Sequence, residues 1–112
     1  MFTLSELLKA LSDETRLRII NLIFEKELCV CDVMETLAIT QTKASRHLGI
    51  LRKSGLVEDR KSAQWVYYSI SEEKKLDFLK SIVFEARISE QLYKDDLSNL
   101  NLWLEKKAIS CS

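Results

Sequence analysis

Apolar residues recur along this chain at two different spacings, which divide it into helical and extended segments. Spacings of three and four residues, typical of amphipathic helices, cover most of the chain. Between residues 56 and 70 two runs rich in β-branched and aromatic residues flank a polar link, which predicts a β-hairpin. The predicted helices are residues 3–11, 13–24, 30–37, 41–54 and 72–107, with residues 108–112 as a tail.

The third and fourth predicted helices form a helix-turn-helix pattern. Both are short, a three-residue turn at 38–40 joins them, and the second is basic. Gly55 suits the left-handed position just past a helix end, and the hairpin that follows it would be a wing reaching along DNA. We therefore expect residues 1–112 to form one winged helix-turn-helix domain, mainly α with about five helices and a small two-stranded hairpin.

The last predicted helix carries an apolar stripe in heptads, and the short body offers little surface to cover it. The same helix of a second subunit is the expected partner, with the first helix also at the interface. A two-fold dimer would place two recognition helices about one DNA turn apart, roughly 34–36 Å. The expected dimer contacts are Leu4, Leu8, Leu79, Val83, Ala86 and Tyr93.

The distribution of charge along the chain indicates DNA binding, although the formal net charge is zero. Residues 41–64 carry six basic and two acidic side chains, whereas residues 1–40 carry four basic and seven acidic ones. A local basic face suffices for phosphate contacts. His47 is expected on the polar face, as a DNA contact or in a bond within its helix. The predicted contacts are Gln41, Thr42 and Ser45 at base edges, Lys43, Arg46, Arg52, Arg60 and Lys61 at phosphates, and His47 and Gln64.

Other classes of protein lack support in the sequence. One histidine, no glycine-rich phosphate loop and no clustered carboxylates leave no catalytic constellation, so we expect no enzyme. The first ten residues lack the pattern of a signal peptide, and no apolar run reaches membrane-spanning length. Three cysteines without secretory features predict a cytoplasmic protein with free thiols and no membrane partner.

The segment 27–34, ELCVCDVM, places Cys29 and Cys31 one residue apart at the start of the third helix. They are either soft-metal ligands or two small buried apolar residues. A helix start would lower the pKa of both thiols. Residues i and i+2 do not face each other on a regular helix, so the helix start must be irregular for both to bind one atom. Ligand and DNA would then strain the same segment.

The strings LSDETRLRII (11–20), ELCVCDV (27–33), KASRHLGILRKSGLVEDRK (43–61) and WVYYSIS (65–71) resemble the ArsR/SmtB family of metal-responsive bacterial repressors. The resemblance is strongest to the branch that senses arsenic(III) and antimony(III). It implies a homodimer that binds operator double-stranded DNA and represses an arsenic-resistance type operon. As(III), Sb(III) or a trivalent organoarsenical would bind the cysteine thiolates as inducer and release the DNA.

One position departs from the arsenic branch, in which a third thiolate follows the second by three residues. That position is Met34, expected in the core. Either Cys111, from the same or the other subunit, completes a three-sulfur site, or the site uses two sulfurs, which suits a monomethyl arsenical. Asp32 is expected to interact with the helix dipole, and residues 72–112 lack the histidine of zinc-type sites. The alternatives are a thiol-based redox sensor, a Cd/Pb-responsive repressor, and an interaction module that does not bind DNA.

Overall fold

A computed structural model of the chain describes residues 3–72 and 77–110. The predicted ligand Cys111 lies outside these residues. Within them the chain is mainly helical with a small antiparallel sheet, which confirms the predicted fold class. The structure has six helices rather than about five, and a third strand. The elements are α1 Leu4–Leu11, α2 Glu14–Glu25, β1 Leu28–Cys29, α3 Val30–Leu37, α4 Gln41–Lys53, β2 Val57–Ser62, β3 Trp65–Ile70, α5 Asp77–Ser89 and α6 Gln91–Ser110.

Local side-chain caps account for where several helices begin. The Thr3 hydroxyl accepts a hydrogen bond from the Glu6 amide, and Asp13 and Thr40 cap α2 and α4 in the same way. α3 ends at Ala38, whose φ of 55° is left-handed and stops the helix before the turn to α4. All six described helices and the three strands contribute to one apolar core. Its fully buried members include Ile19, Ile20, Leu22, Val33, Leu48, Leu51 and Leu56.

The sheet joins the cysteine segment to the wing. Strands β2 and β3 pair from Val57↔Ile70 to Ser62↔Trp65, so a two-residue turn closes the hairpin. Strand β1, which was not predicted from the sequence, adds Cys29↔Tyr67 on the other side of β3. The backbone of the cysteine segment is therefore hydrogen-bonded into the same sheet as the wing.

The predicted helix over residues 72–107 is wrong as a single rod, because the chain breaks at Glu90 into α5 and α6. Polar groups of α2 hold both pieces. Asn21 is buried; its amide nitrogen donates to the Tyr93 carbonyl at 3.0 Å, and its oxygen accepts from Arg87 Nε at 2.7 Å. Arg18 Nε donates to Asp96 Oδ2 at 2.8 Å. Both helices consequently pack on the body of their own subunit.

This packing corrects part of the predicted dimer interface. Leu79, Val83 and Tyr93 are 0–2% exposed in the single chain, so they belong to the core of one subunit and no partner is needed to cover them. Leu4 and Leu8 remain 63% and 48% exposed, and with the half-buried Ala86 they stay predicted contacts. No helix among the described residues is long and apolar enough to cross a membrane.

Candidate ligand site and DNA-reading surface

The predicted DNA-reading surface is exposed with one exception. It runs from the first turns of α4 to the tip of the wing, and its polar side chains point away from the core. Nine of the ten predicted contacts are exposed, namely Gln41, Thr42, Lys43, Ser45, Arg46, Arg52, Arg60, Lys61 and Gln64.

His47 is the exception, since it is only 6% exposed and packs between α4 and α2. Its Nδ1 lies 3.2 Å from Arg16 Nη1. An arginine side chain can only donate, so this ring nitrogen accepts and the imidazole is neutral in the contact. Burial lowers the pKa of His47, the Asp13 carboxylate opposes this, and neighbouring cations add to the decrease. The expectation of a polar-face histidine is therefore wrong: His47 sits at a helix–helix contact.

One basic side chain of the wing and one of α4 form ion pairs. Arg60 donates to both carboxylate oxygens of Glu27 at 2.7 and 2.8 Å and lies over the Tyr67 ring. Arg52 lies 3.7 Å from Asp59. Exposed pairs of this kind contribute little stability, so a DNA phosphate can replace the carboxylate. Glu27 nevertheless links the cysteine segment to a predicted phosphate contact.

The two cysteines lie on either side of the start of α3. Cys29 ends β1 and is the N-cap of α3, with an extended backbone at φ −93° and ψ 171°. Cys31 lies in the first helical turn and is half-buried. Both are free thiols. The extended backbone of Cys29 is ordinary for an N-cap, and its pairing with β3 places Cys29 outside the helix that contains Cys31. That both thiols bind one atom stays a prediction.

A pocket of about 380 Å³ brings the sulfur-containing residues together with Gln41 and Gln64 of the predicted DNA-reading surface. Its lining is mostly apolar, and Cys29, Cys31 and Met34 contribute to it from the start and first turns of α3. On the other side are the first residue of α4 and the start of β3. The lining residues are Cys29, Val30, Cys31, Met34, Gln41, Gln64, Trp65 and Val66. A ligand held by these thiols would therefore touch both halves of the predicted DNA reader.

A buried carboxylate lies directly behind Cys29. Asp32 Oδ2 accepts hydrogen bonds from the Cys29 amide at 3.0 Å and from Cys29 Sγ at 3.3 Å. Asp32 Oδ1 accepts from Trp103 Nε1 at 2.9 Å and from Lys107 Nζ at 2.8 Å, both on α6. Lys107 Nζ is also 3.8 Å from Cys29 Sγ. The end of α6 is thus docked on the cysteine segment of its own subunit.

These contacts set the protonation of the site. Burial raises the pKa of the Cys29 thiol, and the Asp32 carboxylate opposes its ionisation. A backbone amide of the helix start, that of Asp32, lowers the pKa of Cys29 as expected, but burial outweighs it, so the expected net decrease is wrong for this thiol. Burial alone would raise the pKa of Asp32, but hydrogen bonds from Lys107, Trp103 and Cys29 hold it below its usual range. At neutral pH the thiol faces a carboxylate that is already ionised.

The donor set limits which ligand this pocket fits. Among residues 3–72 and 77–110 no group of three histidine, cysteine, aspartate or glutamate side chains could hold a metal ion. Two thiols and a neutral thioether suit a soft centre that forms two bonds to sulfur. Hard cations and histidine-dependent ions find no suitable ligands there.

Three aromatic or basic participants were not predicted from the sequence. Trp103 and Lys107 lie 71 and 75 residues from the carboxylate that they contact. No local spacing indicates such a contact. Trp65 is 47% exposed and lines the pocket beside the cysteines. A buried acid beside the cysteines was the one available signal, since an aspartate there requires a cation or several donors.

Comparison with known proteins agrees with this geometry. The model of the arsR family of bacterial regulatory proteins matches residues 13–59. The arsenical resistance operon repressor of Escherichia coli K12 is 54% identical over 67 residues, which are 59% of this chain and 57% of that protein. The cadmium resistance regulator CadC of Listeria innocua is 39% identical over 70% of this chain and 66% of its own length.

Solved structures give the same fold. HlyU from Vibrio cholerae is 37% identical with a TM-score of 0.65, over 76% of this chain and 89% of its own. A homodimeric winged helix-turn-helix DNA-binding domain from Mycobacterium bovis, 27% identical, gives a TM-score of 0.65 over 76% of each chain. The chain spans only 52–64% of the length of the arsenic-resistance regulators it matches.

Proposed function

Because this chain belongs to the ArsR family of bacterial regulatory proteins, we propose that it is a homodimeric repressor that a trivalent arsenical or antimonial releases from operator DNA. Family membership confirms the resemblance found in the sequence and agrees with a DNA-binding regulator rather than an enzyme. The choice of inducer is the finer part of the proposal. It depends on one observation, which is that Cys29 and Cys31 share a pocket with Gln41 and Gln64.

Ligand binding is a simple exchange at arsenic. Each thiol replaces one hydroxide of arsenous acid, and its proton leaves with that hydroxide as water. Cys29 and Cys31 would supply the two sulfurs. The third bond of arsenic then keeps a hydroxide, carries an organic group, or reaches the thiol of Cys111. Cys111 follows Lys107 by four residues in the sequence, which supports a role for Cys111 as the third ligand.

The pocket lining favours an inducer with an organic group. Val30, Met34, Trp65 and Val66 surround the thiols with apolar surface, and a methyl or phenyl group on arsenic would be buried there. A neutral thioether at position 34 makes a weak third ligand. We therefore expect methylarsenite to release DNA at lower concentration than arsenite.

The mechanism follows from where Cys29 lies. Its backbone is paired with Tyr67 of the wing, and its α-helix leads to the recognition helix. Drawing Cys29 and Cys31 to one arsenic atom moves the wing strand and the start of α3 relative to each other. A hundredfold loss of operator affinity needs about 2.7 kcal/mol of coupling.

The test is release of a labelled promoter fragment from upstream of the gene, followed by fluorescence anisotropy during titration with arsenite or methylarsenite. Cys29→Ser and Cys31→Ser should bind DNA as the parent does but resist release, since serine is a good N-cap and a poor ligand for arsenic. Met34→Cys adds a third thiol and should lower the arsenite concentration for half-release by more than about tenfold. If the double serine variant still responds, the pocket is not the sensing site.

The same assay separates the alternatives. Zinc bound by thiolates takes four ligands. The pocket contains two cysteines, so we expect cadmium and lead, as divalent thiolate-binding ions, to release DNA poorly. Mild peroxide should also have little effect, because the Cys29 thiol is buried and its raised pKa slows oxidation. If cadmium or peroxide releases DNA at a lower concentration than the arsenicals do, the proposed inducer is wrong. Cys111→Ser reports whether a third thiol takes part.

A further inference from the structure

The cluster formed by Asp32, Trp103 and Lys107 is unused by the proposed release mechanism, although it touches the sensing thiol. Asp32 is 2% exposed. An ionised carboxylate has about four acceptor sites, and this one receives two donors from Cys29 and two from α6. All four acceptor sites are used. Oδ2 accepts both hydrogen bonds from Cys29, and Oδ1 accepts both from α6.

This division couples the thiol to α6. If Cys29 Sγ turns from Asp32 toward the pocket, Oδ2 loses a donor. If the carboxylate rotates to follow the sulfur, Oδ1 loses Trp103 or Lys107, and a buried charge is left without a compensating partner. The side chain of Lys107 is 30% exposed, so its ammonium group can move into water at small cost. The contact to α6 is therefore the one expected to yield.

We infer that Trp103 and Lys107 are positioning residues that hold Cys29 in its resting rotamer and set the inducer concentration that the protein requires. Trp103 acts through Asp32, and Lys107 acts through Asp32 and through its own contact with Cys29 Sγ. The inference rests on the proposed function, because it concerns the thiol site of that function. It assigns to α6 a regulatory role in addition to its packing on α2 and α3. Ligand binding should loosen the end of α6, and by reciprocity a loosened α6 should favour ligand binding.

Lys107→Met tests the inference, because methionine keeps the length and apolar stem of lysine but cannot donate. The arsenite concentration for half-release should fall about tenfold, the scale set by the loss of one hydrogen bond to a charged group. Lys107→Arg keeps a donor and should remain close to the parent. Lys106→Met is the matched control, since Lys106 is the preceding residue of α6, is exposed and makes none of these contacts.

Two further measurements distinguish a positioning role from general destabilisation. The indole N–H resonance of Trp103, assigned by its loss in Trp103→Phe, should shift when arsenite saturates the protein. Without any arsenical, the Cys29 amide, which donates to Asp32, should exchange with solvent faster in Lys107→Met than in Lys106→Met.

The outcomes separate the inference from the function it rests on. If arsenite releases the parent and Lys107→Met responds as Lys106→Met does, the positioning role is overturned and the proposed function stands. If neither arsenite, antimonite nor methylarsenite releases the parent, the proposed function fails. The inference is then judged by Cys29 exchange: faster exchange in Lys107→Met supports the hold on Cys29, and equal exchange overturns it.

Discussion

Helix α6 is anchored near both ends by a buried carboxylate, but the two anchors are built in opposite senses. Near its start the acid belongs to α6: Asp96 accepts two hydrogen bonds from Arg18 of α2, at 2.8 and 2.9 Å. Near its end the acid belongs to α3, and α6 supplies the donors Trp103 and Lys107. The first anchor is a planar two-point contact, whereas the second is a point charge on a flexible stem beside an indole.

The difference between the two anchors indicates which end of α6 is able to move. Arg18 donates to Asp96 through both Nε and Nη2, and the hydrogen bond with Asp96 raises the pKa of Arg18. Arg18 is 21% exposed and Asp96 is 2% exposed, so the pair cannot be replaced by water without leaving a buried charge. Lys107 can hydrate, and its carboxylate partner also serves a cysteine. One anchor is suited to stability and the other to regulation.

Asp96→Ala should have the largest effect on the stability of the fold. It leaves Arg18 unpaired at a mostly buried position, and we expect the free energy of unfolding to fall by about 2–3 kcal/mol. Urea denaturation measures this loss. The arsenical concentration for half-release, measured on the folded fraction, should change little. Asp95→Ala, at an exposed neighbouring position, should stay within about 0.5 kcal/mol of the parent. A large change in release by Asp96→Ala would show that the two anchors are not separate.

Asp32→Asn should act on both stability and release. The amide keeps the shape of the side chain but offers one acceptor oxygen for four donors, so we expect a loss of about 1–2 kcal/mol. Cys29 should also turn more easily toward the pocket, which lowers the arsenite concentration for half-release. Urea denaturation and promoter release, measured on the same preparation, separate the two effects. A loss of stability with unchanged release would make Asp32 a structural residue only.

Sequence patterns sufficed for the parts of this fold that depend on neighbours along the chain. The helical spacings of apolar residues, the turn after α3 and the change of period at Gly55 are local signals, and the helix-turn-helix and wing follow from them. The cysteine pair was visible for the same reason, since its spacing and its place at a helix start can be read directly.

What could not be predicted depends on contacts between distant segments. The apolar heptad positions continue on both sides of Glu90, so periodicity favoured one long helix. Buried Asn21 and half-buried Arg18 of α2 instead hold the chain before and after Glu90. The strand β1 is two residues long and exists because β3 pairs with it. Periodicity reports which face of an element is apolar but not which element covers it.

The contact between His47 and Arg16 is a third kind of polar contact, because protonation of His47 would place two positive charges side by side. We expect substitution of His47 to have the smallest effect on the free energy of unfolding. The neutral ring accepts from Arg16, and burial lowers the pKa of His47 while Asp13 opposes this and Arg16, Arg46 and Lys43 add to the decrease. The unfolded chain, with a histidine pKa of about 6.5, therefore binds a proton more readily than the folded one.

The linkage gives His47 a stabilising contribution that is present above about pH 6.5 and is lost as pH falls from there through the lower folded pKa. The loss should stay below about 1 kcal/mol, because the Asp13 carboxylate nearby partly stabilises the charged ring. His47→Gln keeps an acceptor for Arg16 but does not titrate, so its free energy of unfolding should depend less on pH between about 5 and 7. Urea denaturation of both proteins at several pH values makes the comparison. Equal pH dependence would mean that His47 is not held neutral in the fold, whereas a flatter curve for the variant would show that acid weakens the contact between His47 and Arg16.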